Sequence, residues 1–195
     1  MKYKNTQIAL GKAGKELQRR MRQSLSQPRF TDSKGNRSRN KNASGSLSKS
    51  LSYEQYVDKR YGPRLVMTGN SYAKFVDQGV TGTGRDLKEG ETVARSRSNY
   101  AFKRSKKSID SSVIERWMGQ KGLRGRDPKT GRFLKKKSSA FLIARAIHRR
   151  GLQPTGFIED TVKRYEPEMY EFVGEALAQD GAEYLIEKLN VAFKK

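Results

Sequence analysis

Residues 51–68 read LSYEQYVDKRYGPRLVMT and predict an antiparallel hairpin. The first half alternates between two faces, as is typical of a strand. One face carries Leu51, Tyr53, Gln55 and Val57. The turn residues YGP at 61–63 follow, and residues 64–67 supply the return strand. After a further turn, residues 72–76 are predicted to add a third strand to this sheet.

Helical periodicity flanks the hairpin on both sides. Apolar residues recur at steps of three and four over residues 6–25, which predicts an amphipathic N-terminal helix. A short helix is predicted over residues 111–121, and the next begins at a cap of Ser138 or Ser139. The last helix is predicted from Pro167 to Leu189. The fold class is therefore α+β, with a small antiparallel β-sheet packed by an N-terminal helix and a long C-terminal helix.

The chain is predicted to form a single domain over residues 1–195. Residues 29–50 form a polar basic loop, residues 80–107 an extended basic insertion, and residues 108–195 a helical closing segment. Only 38 of the 195 residues are Leu, Ile, Val or Phe, which is close to the composition of disordered chains. The core must be small, so we expect residues 29–43 and 80–107 to become ordered against partners.

Charge is the strongest compositional signal. The 42 Lys and Arg residues outnumber the 20 Asp and Glu residues, for a net charge of +22. Residues 1–150 carry +26, whereas residues 151–195 carry −4. A basic body with an acidic tail favours head-to-tail self-association or a polyanionic partner, for which phosphate backbone is the usual candidate. A highly solvated surface without a particular partner is the alternative.

The sequence shows no catalytic or metal-binding pattern. It contains no Cys, which excludes disulfides, thiolate metal sites and thiol nucleophiles. Its one histidine, His148, lies at the basic end of a predicted helix, where a cation is favourable. The glycines of residues 79–84 lack the Gly-Lys-Ser/Thr ending of a phosphate-binding loop. We therefore expect no enzymatic activity, no cofactor and no metal site.

The sequence also lacks the features of a membrane or secreted protein. No apolar stretch approaches the length of a membrane span, and the first residues lack the apolar core of a signal peptide. We expect a soluble protein that has no membrane partner and stays in the cytoplasm where it is made.

Several stretches together resemble one family. Residues 44–51, SGSLSKSL, follow an N-terminal helix and lead into a strand, and residues 72–79, YAKFVDQG, form an aromatic-small-x-aromatic-aliphatic-acidic run that ends in glycine. Residues 114–123 and 140–147 are similar to the helices of a closing pattern, and residues 149–157, RRGLQPTGF, to its bend. The chain thereby resembles the tail-completion and neck (head–tail joining) proteins of tailed phages. The insertion is longer than in that family's usual pattern.

The resemblance implies a structural function. It implies a virion protein, synthesised in the host cytoplasm, that forms a ring of six or twelve copies at the head–tail junction, around the channel through which the genome passes. The implied partners are further copies of the chain, portal, neck or tail proteins, and genomic DNA in non-specific contact. The alternative is a free basic protein that binds nucleic acid non-specifically.

These expectations assign two sets of residues. The candidate intersubunit contacts are Trp117, Phe157, Tyr72 and Phe75. The candidate DNA-proximal basic residues are Arg95, Arg97, Lys103, Arg104, Lys106, Lys107, Arg124 and Arg126. For Trp117 and Phe157 a second interpretation stays open, because large aromatic side chains usually belong to the core.

Overall fold

The computed structural model of the chain describes residues 3–26, 45–87, 89–103, 109–120, 122–127 and 129–193. Within these residues the chain is α+β as predicted, with six helices and two antiparallel strand pairs. The helices are α1 (Lys4–Ser26), α2 (Ser46–Ser50), α3 (Ala73–Gln78), α4 (Ser111–Gln120), α5 (Lys136–Arg150) and α6 (Glu159–Phe193). The strands are β1 (Ser52–Asp58), β2 (Gly62–Thr68), β3 (Val80–Thr81) and β4 (Gly151–Leu152).

The chain divides into two compact units. Unit 1 comprises Met1–Pro28, Ser46–Asn70 and Phe157–Lys195, and unit 2 comprises Arg29–Gly45 and Ser71–Gly156. The sequence predicted one domain over residues 1–195 and gave no sign of this division, because unit 1 is assembled from three separated pieces. Residues 29–43 and 104–107 of the predicted loop and insertion lie outside the described residues.

The predicted hairpin and N-terminal helix of unit 1 are confirmed. β1 pairs antiparallel with β2, so that Tyr53 lies opposite Met67. α1 packs against both strands, and the Gln18 side-chain amide donates a 2.6 Å hydrogen bond to the Leu51 carbonyl. The predicted apolar seam of α1 is the face that becomes buried.

Gly14 allows α1 to approach the hairpin closely. A Cβ at this position would overlap the Tyr53 ring and lie 2.8 Å from Leu65 Cδ1. Glycine costs about 1 kcal/mol relative to alanine inside a helix. Gly14 is therefore explained by the room that it leaves for the side chains of Tyr53 and Leu65.

α6 lies antiparallel to α1. Near the end of α1, the Arg20 guanidinium contacts Glu168 at 2.8 Å and covers the Tyr165 ring at 4.3 Å from its centroid. Near the start of α1, Asn5 and Thr6 lie against Asp180. α1 begins at Lys4, and the Asn5 side-chain amide still donates to Glu183 at 3.2 Å. The last ten residues of α6 therefore extend past α1, a length of about 15 Å.

The Asp180 carboxylate caps the first turn of α1. It accepts hydrogen bonds from the backbone N–H groups of Asn5 (2.9 Å) and Thr6 (2.8 Å) and from the Thr6 hydroxyl (2.6 Å), and only 1% of the residue is exposed. These N–H groups have no partner inside the helix, and the helix dipole favours an anion there. Burial acts to raise the pKa of Asp180, but the hydrogen bonds from Thr6 and Asn5 outweigh it and hold the pKa below its usual value.

The core of unit 2 is smaller and lies between α4 and α5. It consists of Ile114 and Met118 from α4 and Ala140 and Ala144 from α5, all buried. Ile109, Leu123, Ile143 and Ile147 pack around it. Helix α4 falls within its predicted bounds, and Gly151, at φ 86°, ends α5.

The predicted third strand is wrong. Residues 73–78 form helix α3, which buries Ala73 and Asp77 and leaves Phe75 37% exposed. Ala73 and Asp77 are four residues apart and share one helical face, whereas a strand would have placed Phe75 on the same side as both. The aromatic residues of this stretch suggested the two-residue period of a strand in place of the 3.6-residue period of a helix.

Three predicted boundaries also differ from the structure. Helix α2 occupies the last residues of the predicted loop, and α5 begins at Lys136, so that Ser139 is a buried helical residue and not a cap. Helix α6 begins at Glu159, which places Pro167 inside it and not at its first turn. Glu159 and Asp160 provide the acidic first turn that a helix start favours, and Pro167 lies on the exposed side.

We expect Asp180→Ala to lower the free energy of unfolding by about 2 kcal/mol or more, because buried N–H groups lose a charged acceptor. Glu187→Ala, at an exposed acid two turns further along, is the control and should change it by less than about 0.5 kcal/mol. Denaturant titration measures both.

Because the pKa of Asp180 is lowered in the folded state, the difference between wild type and Asp180→Ala should be full at neutral pH and shrink as the pH falls through that pKa. A difference independent of pH would contradict the cap.

Gly14→Ala and Gly174→Ala form a matched pair of helical substitutions. The first should destabilise unit 1 by at least about 1 kcal/mol, because the new methyl group meets Tyr53 and Leu65. The second should stabilise the chain by about 0.5–1 kcal/mol, because a Cβ at Gly174 meets no atom within 4 Å. Denaturant titration checks both signs, and a stabilising Gly14→Ala would refute the close approach.

Candidate assembly and nucleic-acid interface

Two of the stretches that carry the family resemblance pack against each other in unit 2. The Thr155 hydroxyl donates to the Val76 carbonyl at 2.7 Å, and the Gly156 N–H donates to the Asp77 carbonyl at 2.9 Å. Gly79 lies at φ 74°, and a Cβ there would be 2.6 Å from the Leu152 carbonyl oxygen. Residues 72–79 and 152–156 are thus one packed junction, which the sequence alone did not reveal.

The described part of the basic insertion is held by the backbone of its own unit. β3 pairs with β4, and the N–H groups of Thr83 and Gly84 donate to the carbonyls of His148 (3.1 Å) and Arg149 (3.0 Å). The Ala94 N–H donates to the Arg150 carbonyl at 2.6 Å. Residues 80–103, as far as the structure describes them, are therefore hydrogen-bonded to the end of α5 and to β4 within the same unit.

An acidic residue of this insertion forms ion pairs with two arginines of α5. Glu91 is 12% exposed and forms ion pairs with Arg149, at 3.1 Å, and with Arg150. Arg149 also donates a hydrogen bond to the Asp86 carbonyl at 3.0 Å. These two arginines stabilise unit 2 and are poor candidates for binding phosphate. The sequence analysis did not single out Glu91.

Two of the candidate contact residues lie on α3 or just before it, on an exposed aromatic surface. Tyr72 is 43% exposed and Phe75 37% exposed. The Phe75 ring meets Tyr100 edge-on, with centroids 4.8 Å apart, and the Lys74 ammonium lies 5.2 Å from the Phe75 centroid. This arrangement leaves an aromatic surface with a cation beside it.

Phe133 lies between two of the candidate basic residues. It is 56% exposed, and the guanidinium groups of Arg126 and Arg124 lie 4.6 Å and 5.8 Å from its ring centroid. The predicted tight turn brings them together, since Arg126 pairs with Phe133 in an isolated antiparallel bridge. Asp127 closes the turn, and hydrogen bonds from the Lys129 N–H and the Thr130 hydroxyl lower its pKa. The result is an exposed platform with two positive charges, which we call the Phe133 platform.

A cavity of about 460 Å³ adjoins this platform. It is lined by Met118, Leu123, Leu134 and Phe133, with Arg124 and Lys136 as its charged side chains. The cavity lies within unit 2 between α4, the turn and the start of α5.

The other candidate residues are distributed as follows. Phe157 is fully buried, so its side chain is not available to a partner and the core interpretation applies. Trp117 is 36% exposed and remains accessible. Arg95, Arg97 and Lys103 are exposed on the insertion, whereas Arg104, Lys106 and Lys107 lie outside the described residues.

Two exposed apolar surfaces were missed by the sequence analysis. One is the last part of α6, residues 182–191, which we call the α6 end. Leu185, Ile186, Leu189 and Val191 are 55–62% exposed there. The other is the α5 face, made of Lys137, Phe141, Leu142 and Arg145, in which Phe141 and Leu142 are each 52% exposed. The apolar residues of 185–191 fill several sides of the helix, which is the signal that could have revealed the first surface.

The charge is unevenly shared between the two units. Unit 2 contains 26 Lys and Arg against 8 Asp and Glu, a net charge of +18, whereas unit 1 has a net charge of +4. Within unit 1, α6 has nine acidic and three basic residues. Unit 2 thus carries most of the charge of the basic body, residues 1–28 and 46–70 of unit 1 carry the other +8, and α6 carries the acidic residues of the tail.

Other chemistry is limited in the described part of the chain. Its residues contain no group of three or more His, Asp or Glu side chains that could hold a metal ion. The His148 ring packs against Phe102, with centroids 5.2 Å apart. None of the described helices is long and apolar enough to cross a membrane.

Comparisons with known proteins identified no relative: no family model, no curated protein and no solved structure matches the chain.

We expect Glu91→Gln to destabilise unit 2 by about 2–3 kcal/mol, because two neighbouring guanidinium groups lose their shared counter-charge. Glu89→Gln, two residues away at an exposed position, provides the control and should be nearly neutral. Denaturant titration monitored by Trp117 fluorescence reports on this unit. Equal stability of the two variants would show that the ion pairs with Arg149 and Arg150 contribute nothing.

Proposed function

We propose that this chain is a non-enzymatic structural protein of a tailed-phage virion, which forms a ring around the DNA channel at the head–tail junction. The observation that carries the proposal is the pair of exposed apolar surfaces in a chain of net charge +22. Large apolar side chains at 52–62% exposure on two helices mark sites of protein association. High positive charge opposes crowding of copies unless a polyanion is near, and DNA supplies that polyanion.

The family resemblance supports the same proposal. Residues 72–79 and 149–157 carry part of the resemblance, and they meet in one hydrogen-bonded junction. Tyr72, Phe75 and Trp117 are exposed and are the candidate contacts with neighbouring subunits or with portal, neck and tail proteins.

The basic residues of unit 2 are assigned to genomic DNA. Phosphate contacts by Lys and Arg are independent of base sequence, which suits a channel through which a whole genome passes. The Phe133 platform holds Arg124 and Arg126 in a fixed place and is the best-defined part of this surface.

The oligomeric state of the purified full-length chain tests the ring. Sedimentation velocity over a range of protein concentrations, with and without a short DNA duplex, should show one discrete large species, and negative-stain images should show closed rings with a central opening. A chain that stays monomeric under all these conditions would overturn the proposal.

The Phe133 platform also favours the second candidate, a free protein that binds nucleic acid non-specifically, because an exposed aromatic ring beside two guanidiniums suits stacking and phosphate contact. Monomers that bind a duplex tightly, with a steep salt dependence and without assembling, would favour this candidate. Rings that form before DNA is added would exclude it as the main function.

We expect the double substitution Arg124→Ala and Arg126→Ala to reduce the salt dependence of duplex binding by about two phosphate contacts per subunit, a slope change of about 1.8 in log K against log salt. The control is Arg19→Ala in unit 1, whose guanidinium is paired with Glu16 at 2.6 Å. Fluorescence anisotropy at several salt concentrations measures both. An unchanged slope in the double variant would remove the platform from the DNA-binding surface.

A further inference from the structure

The α6 end is an apolar surface that unit 1 leaves open. It begins just beyond Asp180, where α1 starts, and all of its described side chains except Tyr184 are exposed. At 100° per residue, Leu185, Ile186 and Leu189 lie on the side of α6 opposite Asp180, and so point away from α1. A helix with this much exposed Leu and Ile is expected to be covered in the functional state.

We propose that the α6 end of one copy docks on the α5 face of a second copy. This inference rests on the proposed ring function and names its subunit contact. Leu185, Ile186 and Leu189 are covered by Phe141 and Leu142 of the next subunit.

Charge complementarity identifies α5 of a second copy as the helix that covers the α6 end. Between Tyr165 and Glu187, α6 contains seven acidic residues and no Lys or Arg. α5 contains no acidic residue, and of its five Lys and Arg, Arg149 and Arg150 are paired with Glu91, which leaves Lys136, Lys137 and Arg145 exposed on the helix. At 100° per residue Glu183 lies next to Ile186, at the rim of the contact, where it then meets Lys137 of the other copy and favours encounter in this orientation.

The α6 helix of a second copy is a less favourable partner for the α6 end. Pairing two α6 helices would bring together two helices with nine acidic and three basic residues each, and like charges across a helix pair are destabilising. DNA is also a poor cover for the α5 face, because Phe141 and Leu142 would be left against phosphate oxygens.

The contact joins two different surfaces of the same chain. Such a heterologous contact leaves one free α6 end and one free α5 face after every addition, until the chain of subunits closes into a ring. One type of contact is therefore sufficient to build the assembly.

Two variants test the contact. Leu185→Ser with Leu189→Ser removes the apolar α6 end, and Phe141→Ser with Leu142→Ser removes the apolar α5 face. Each should weaken self-association by about tenfold or more in sedimentation velocity, because large apolar residues at the centre of an interface carry most of its binding energy. Leu177→Ser, at an exposed leucine on another face of α6, is the matched control and should assemble normally. Circular dichroism confirms that each variant is folded.

Mixing the two variants gives the sharpest readout. Each retains one intact surface, so an equimolar mixture should form 1:1 dimers and no rings, although each variant alone stays monomeric. If the α5-face variant forms dimers alone through its intact α6 end, the contact is between two α6 helices and the proposal is wrong.

Charge reversal at exposed positions provides a second test. Glu183→Lys should weaken assembly, and adding Lys137→Glu in the same chain should restore it. Failure to restore assembly argues against this pairing. If wild type and all variants form rings, the proposed ring function is retained and the proposed contact is wrong. If wild type never assembles, both proposals are wrong.

Discussion

The pairing of α1 with α6 is the constraint on which the rest of unit 1 depends. Two polar contacts at opposite ends of α1, Asp180 at its first turn and Arg20 with Glu168 near its last, set the register of the two helices. With the register fixed, the small residues of α1 face the hairpin and its larger apolar residues are buried. The same register determines how far α6 extends beyond α1, and so creates the exposed α6 end.

Unit 2 is stabilised mainly by interactions of a different kind. Its apolar core is small, and the basic insertion is tied to α5 mainly by main-chain hydrogen bonds and by the Glu91 ion pairs. Backbone hydrogen bonds do not depend on side-chain type, so a segment held in this way keeps its Lys and Arg side chains in solvent. The described residues of unit 2 contain 16 Lys and Arg against 7 Asp and Glu, so a net charge of +9 is displayed on a folded surface, which costs less entropy on binding than a charge carried by a disordered arm.

The sequence predicted what depends on local pattern and failed where long-range contacts decide. The hairpin of residues 51–68, helix α1 and helix α4 follow from periodicity and turn residues, and the exposed Arg124 and Arg126 follow from composition. Phe75 was placed in a strand because aromatic residues favour strands, yet the buried Ala73 and Asp77 require a helix. The roles of Glu91 and Asp180 depend on partners 58 to 175 residues away, which no window of sequence can reveal.

The two exposed apolar surfaces and the charge distribution constrain each other. The proposed ring would bring basic units together, and their mutual repulsion would have to be offset either by DNA in the channel or by acidic residues of the neighbouring subunit. α6 contains nearly half of the acidic residues of the chain, nine of 20, and most of them lie on exposed parts of the helix. If α6 reaches the next subunit, its acidic residues offset part of the charge of the unit it contacts. The remaining positive charge, on the insertion and the Phe133 platform, is then available to the genome.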